Sequence, residues 1–176
     1  MTDLYDGLTL VALSGIAGSI FKFGYELKKD GVKRRSDLYD DLRKEFDGGS
    51  FDNIFTALDD YDTAVKHNPA GSLPVIQAEI SIRSLPLNDK YRFAAFIEHV
   101  ALVTNSGIIS YPLANYAFGE YARLGWNCAP FWDDLCDTSK QKDPYWAMYQ
   151  EFVAKLQPAA EALNATPSKA VAKIRF

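Results

Sequence analysis
The chain has 176 residues, 48% hydrophobic, 14% aromatic and 24% charged, with a formal charge of -4. Length and apolar content support one packed domain rather than disorder. The acidic balance excludes general affinity for nucleic acid, which needs clustered positive charge, and the small stock of 2 cysteines and 2 histidines excludes four-ligand zinc sets and most multi-histidine metal centres.

The first feature in chain order is an uncharged run of 15 residues, Gly7 to Phe21. As a helix it rises about 22 Å, short of the roughly 30 Å hydrocarbon core of a bilayer. If Lys22 snorkels and Asp6 sits among headgroups, the window Leu4 to Phe23 reaches 20 residues, the usual spanning length. A basic collar follows: Lys22, Lys28, Lys29, Lys33, Arg34 and Arg35 against Glu26 and Asp30, a local charge of +4. By the positive-inside rule a spanning helix leaves the C-terminal body in the cytoplasm. No positive n-region precedes the run, so a cleavable signal peptide is not expected. Ser14 with Gly18, and Gly15 with Ser19, form two small-xxx-small pairs able to seat a second helix closely. Three readings of the segment stand: a membrane helix, a buried helix of a soluble fold, and an interfacial amphipathic helix.

Residues 34–46 read as a polar helix with Leu38, Tyr39, Leu42 and Phe46 on its apolar side, stopped by Asp47-Gly48-Gly49. Ser50 is the expected N-cap of a helix with the stripe Phe51, Ile54, Phe55, Leu58 and Tyr61. Residues 36–62 carry nine acids against Arg43 and Lys44, a balance of -7 that reads as a solvated face. Asp59-Asp60-Tyr61-Asp62 lacks the glycine turn and terminal glutamate of a calcium loop.

After a polar loop at 67–74, residues 76–83 alternate apolar and polar, the signature of a half-buried strand, and 172–176 alternate similarly; a minor two-stranded element pairing them is one expectation, and an irregular or helical connector between Pro74 and Pro86 is the alternative. A central helix begins at Asn88 or Asp89 with Phe93, Phe96, Ile97, Val100 and Ala101, and is expected to be the most buried. Gly107 ends it. Ser110 and Pro112 open the next helix, which runs to Gly125 and pairs antiparallel with its predecessor. Pro130 starts a brief turn, and Asp143 caps a last helix with Tyr145, Met148, Tyr149, Phe152 and Leu156 on one face, its pattern decaying after Pro158. The fold class is thus all-α, an irregular multi-helix bundle behind a long N-terminal apolar helix. The chain divides into 1–35 (apolar helix and basic collar), 36–163 (helical domain) and 164–176 (tail).

Reactive motifs are thin. Cys128 and Cys136 stand eight residues apart, about 12 Å on a helix, too far for a disulfide; thiols in a reducing, cytoplasmic setting are expected. His99 follows Glu98 but lacks the second histidine of a zinc-protease helix, and neither a phosphate loop, a GxGxxG turn nor a GxSxG elbow occurs. Glu98, Glu120, Asp133 and Asp134 lie near aromatic residues that would raise a carboxyl pKa by burial, though helix capping or pairing with Arg92 and Arg123 is the plainer role. Trp126, Phe131, Trp132 and Trp146 form an aromatic cluster, read either as core or as a ligand or protein-binding groove where it meets Tyr116, Tyr121 and Tyr149.

The apolar run with Lys33-Arg34-Arg35, Tyr91-Arg-Phe-Ala-Ala-Phe-Ile-Glu-His-Val-Ala-Leu-Val103, Gly107-Ile-Ile, Phe118-Gly-Glu-Tyr-Ala-Arg-Leu-Gly-Trp126 and Tyr145-Trp-Ala-Met-Tyr-Gln-Glu-Phe152 resemble a group of short bacterial and prophage-borne proteins. The resemblance spans about two thirds of the chain and implies a hydrophobic N-terminal helix before a cytoplasmic helical domain, but no activity. The expected function is therefore non-enzymatic: a membrane-associated interaction or effector protein at the inner membrane, binding a protein partner or itself, without cofactor or metal. The alternatives are a cytoplasmic all-α binding module whose apolar helix packs in a protein interface, and a small enzyme using Glu98, His99 and Glu120.

Overall fold
The computed structural model describes residues 31–136 and 139–165. The expectations placed on Ser14, Gly15, Gly18, Ser19, Lys22, Lys28 and Lys29, on the long apolar helix and on the strand 172–176 lie outside the described residues. The chain divides into two compact units, Met1–Leu38 and Tyr39–Phe176. In the first, residues 31–38 are helical, with Lys33, Arg34 and Arg35 exposed.

The described residues form an all-α fold with six α-helices and no strand: α1 (31–47), α2 (Asp52–His67), α3 (Leu73–Ser84), α4 (Leu87–Asn105), α5 (Tyr111–Asn127) and α6 (Ala147–Ala165). Two 3-10 turns, Ala129–Trp132 and Pro144–Trp146, join α5 to α6. Helix α2 forms on its expected stripe, with Phe51, Ile54 and Leu58 buried. Ser50 does not cap it. Phe51 takes that position without a side-chain cap, because its ring is drawn into the core, 5.6 Å from Phe93 and 5.4 Å from Phe96.

The expected strand at 76–83 is instead part of α3. Two steps along a helix turn a side chain through about 200°, so alternate residues fall on opposite faces. Ile76 is 42% and Ile80 59% exposed, whereas Ala78 is 6% and Ile82 0% exposed. The alternation that imitates one buried strand face is two apolar stripes on opposite sides of a helix. Ser72 and Pro74 start that helix in a helical register, with Pro at an early position where no amide bond is lost. Val75 and Ala78 of the inner stripe pack on Ala64 and Tyr61 of α2, and Ile82 continues the stripe, fully buried.

Helices α4 and α5 hold the centre together. Nine residues of each are buried, so α5 matches α4, which the pattern alone singles out. The turn between them rests on Gly107, whose φ of 74° is left-handed and suits glycine. Helix α6 passes through Pro158 rather than decaying there. Pro158 and Ala154, whose carbonyl loses its amide partner, both face solvent, and the alanines that follow have the highest helix propensity.

Candidate ligand-binding cleft
The core of the second unit is aromatic. Phe46, Phe51, Phe55, Phe93, Phe96 and Phe118 pack from α1, α2, α4 and α5, with Phe46 and Phe118 rings 5.2 Å apart. Phe93 touches Phe131 at 5.9 Å, and through that contact joins the sequence-predicted cluster. Trp126 and Trp132 lie 5.2 Å apart, Trp132 and Trp146 5.3 Å apart, and Phe131 and Trp132 5.5 Å apart. All four predicted aromatics thus come together, and all four are buried.

Hydrogen bonds fix this cluster. Trp132 Nε1 donates to Gly125 O at 2.8 Å, and Tyr149 Oη to Ala122 O at 2.9 Å. Gly125 is needed at its position, because a Cβ there would stand 2.8 Å from Phe93 Cε1 and 2.8 Å from Tyr149 Oη. Lys140 lays its ammonium 4.9 Å from the Trp126 ring centre and 5.3 Å from that of Trp132, and donates to Trp126 O. Burial lowers its pKa. The Cys128 thiol, buried beneath, is pushed up to about 11 by desolvation, which keeps it protonated and unreactive near neutrality. Neither cysteine is in a disulfide.

Of the three tyrosines expected to meet the cluster, Tyr149 does, 5.3 Å from Trp126. Tyr121 turns instead to Phe55 at 4.1 Å and donates its hydroxyl to Asp59, while Tyr116 is exposed. The carboxylates also part company. Glu98 accepts from the Tyr149 amide at 2.6 Å, serving the third residue of α6 as a cap supplied by α4. Its pKa is raised by burial, partly offset by that hydrogen bond. His99 and Glu120 are exposed, and the charge of Glu120 acts on Lys66, Tyr121 and Arg123 rather than on Glu98. Asp133 and Asp134 pair with Arg83 at 2.9 Å and Lys90 at 3.1 Å, not with Arg92 or Arg123. Together these two ion pairs pin the turn after Trp132 to α3 and α4.

That turn is one wall of a cleft of ≈ 690 Å³ lined by Tyr91, Asp134, Leu135, Lys142, Asp143, Pro144, Tyr145 and Trp146. Its other wall is the 3-10 turn before α6, where Asp143 Oδ1 accepts from the Tyr145 amide at 2.9 Å and Pro144 fixes the first position. Consecutive residues then part: Trp146 is 1% exposed and belongs to the core, while Tyr145 is 67% exposed. Tyr91, from the outer side of α4, is 41% exposed. The Tyr145 ring stands 4.6 Å from that of Trp146 at 83°, and the Tyr91 ring 6.2 Å away at 31°, so each tyrosine packs on the same indole. Trp146 is the predicted residue that reaches this site. The sequence pattern gives Tyr91 no role at a site and places Tyr145 on the inner face of a helix.

Such a cleft offers ring faces, two carboxylates and one ammonium on a rigid backing. Among the described residues no helix is long and apolar enough to cross a membrane, and no group of three or more His, Cys, Asp or Glu side chains is placed to hold a metal ion. Compared with known proteins, the chain matches no family, no curated protein and no solved structure.

Proposed function
We propose that this protein acts by binding, as an all-α interaction module whose body receives a partner in the Tyr91–Tyr145 cleft. The supporting observation is the pair of tyrosines held open to solvent over a fully buried Trp146. Large rings left exposed forgo burial, and rings backed by a packed core lose little conformational entropy when a partner covers them. A photo-crosslinking aromatic residue at position 145 tests the reading against the same residue at position 116, an exposed tyrosine that does not line the cleft. A partner captured from 145, absent from 116 and lost on Tyr91→Ala supports it; equal capture from both positions, or none from 145, overturns it.

The uncharged run Gly7 to Phe21 and its +4 collar favour a second element of the same proposal, a membrane-associated form with the binding body on the cytoplasmic side. The resemblance to short prophage-borne proteins belongs to this proposal too. Retention in the membrane fraction after carbonate washing supports anchoring. Full-length protein that purifies monodisperse without detergent argues for the soluble alternative, in which 7–21 packs against protein. Deleting residues 1–21 separates them: an anchored body stays folded, whereas loss of a packed helix lowers its melting temperature or dissociates its assembly.

A further inference from the structure
We propose that the Tyr91–Tyr145 cleft receives a proline-rich segment of a partner polypeptide, which lies on the two rings as a polyproline II helix and accepts a hydrogen bond from the Trp146 indole through one of its carbonyls. This rests on the cleft being the binding site and assigns the chemistry it reads.

Three observations carry it. The first is a donor without an acceptor. The Trp132 indole N–H donates to Gly125 O at 2.8 Å, whereas that of Trp146 has no hydrogen-bond partner among the described residues. Ser72 Oγ is the one side-chain polar atom among them that is both sealed from solvent and unpartnered, so the Trp146 N–H is open to solvent, although Trp146 as a whole is 1% exposed. Trp146 lines the cleft, where a partner's acceptor can reach that donor. The second is ring surface. Tyr145 is 67% and Tyr91 41% exposed, and both pack on the same indole. Their distances to it, 4.6 and 6.2 Å, add to 10.8 Å, the furthest the two rings can stand apart. One three-residue turn of polyproline II rises about 9 Å, so a segment of little more than one turn touches both. The third is charge. Asp134 is paired with the buried Lys90 at 3.1 Å, and Asp143 shares the lining with Lys142, so the walls select neither a cationic nor an anionic segment. Among neutral segments, an α-helix uses its carbonyls on its own amides, and a β-strand needs a sheet edge, which the described residues do not offer. A polyproline II segment has no internal hydrogen bonds, keeps its carbonyls free and is ordered before it binds.

The full-length protein is titrated with N-acetyl-hexaproline amide while the indole N–H signals of Trp146 and Trp132 and the Tyr145 ring signals are followed by NMR. Parallel titrations use a capped hexapeptide of alternating glycine and serine, which is neutral but flexible, and maltotriose, a neutral saccharide. Hexaproline is expected to move the Trp146 N–H downfield saturably and to leave that of Trp132, already bonded to Gly125 O, in place. It binds at least about fivefold more tightly than the glycine–serine peptide, the scale of one net hydrogen bond. Tyr145→Leu and Tyr91→Leu, both at exposed positions, each weaken it severalfold, and added salt leaves it unchanged. Equal binding of the glycine–serine peptide overturns the polyproline conformation, and tighter maltotriose reassigns the cleft to a saccharide. Loss of binding in salt overturns the neutral segment, and Tyr145 shifts with a static Trp146 N–H overturn the carbonyl contact. Partner capture from position 145 without hexaproline binding sinks this assignment alone. Loss of both sinks the cleft as the binding site as well.

Discussion

Lys90 is fully buried, yet the carboxylate it meets at 3.1 Å, Asp134, is more than half exposed. The two partners therefore differ in what they leave behind when the other is removed. Asp134→Ala leaves the buried ammonium only its long 3.5 Å hydrogen bond to the Arg83 carbonyl and is expected to cost about 3 kcal/mol, whereas Lys90→Met keeps the stem's volume and leaves a carboxylate that water can reach, costing under about 1.5 kcal/mol. Urea denaturation of the two variants checks this; equal losses would mean that pairing, not the buried ammonium, sets the cost. Glu98 supplies a pH test. Its folded-state pKa is raised above the ordinary 4.5, by burial first, so the folded protein holds that proton more tightly than the unfolded chain. The contribution is fully present below 4.5 and is lost as pH rises through the raised value. Glu98→Gln keeps an acceptor for the Tyr149 amide and removes the titration. Its urea midpoint, relative to the parent, should therefore rise with pH across that window and then level off; a difference independent of pH would contradict the assignment.

At the scale of elements, α3 gives the sharpest contrast. Ile76→Gln and Ile80→Gln, on the open face, should change stability by no more than about 0.5 kcal/mol. Ile82→Ala, on the buried face, should cost about 2–5 kcal/mol. A strand would have placed all three on one face with similar costs, so the series also decides the secondary structure. Gly125→Ala should cost about 1–3 kcal/mol by overpacking, since its new methyl would press on Phe93 and Tyr149, both fully buried, and thermal melts of the variant measure this. Turn chemistry explains what could be read in advance. Gly107 at a left-handed φ and Asp143 before Pro144 are local signals, and both sit where the sequence implies. Pattern failed where one signal serves two geometries. Alternation along 76–82 describes a strand face and also a helix apolar on two opposite sides. An α-helix running from Pro144 turns Tyr145 inward, whereas three residues per turn at that start change the phase.

For the second unit as a whole, the Phe93–Phe131 contact makes one continuous aromatic interior out of two clusters. Far-ultraviolet circular dichroism, which follows the helices, and near-ultraviolet dichroism, which follows the indoles, should therefore trace the same unfolding curve; separated midpoints would show that the two clusters melt independently. The cluster itself was legible, because four large aromatics near one another in a 48% hydrophobic chain belong together. Its mouth was not, because which ring is left uncovered depends on how α4 and the 3-10 turn meet, a tertiary relation between Tyr91 and Tyr145 that no local spacing encodes. One property of that arrangement extends beyond packing. Trp126, Trp132 and Trp146 adjoin in sequence at 5.2 and 5.3 Å, close enough to share excitation energy, and the last of them forms the cleft's floor. The molecule thus carries its own optical antenna, in which a visitor above Trp146 changes the light emitted by all three indoles.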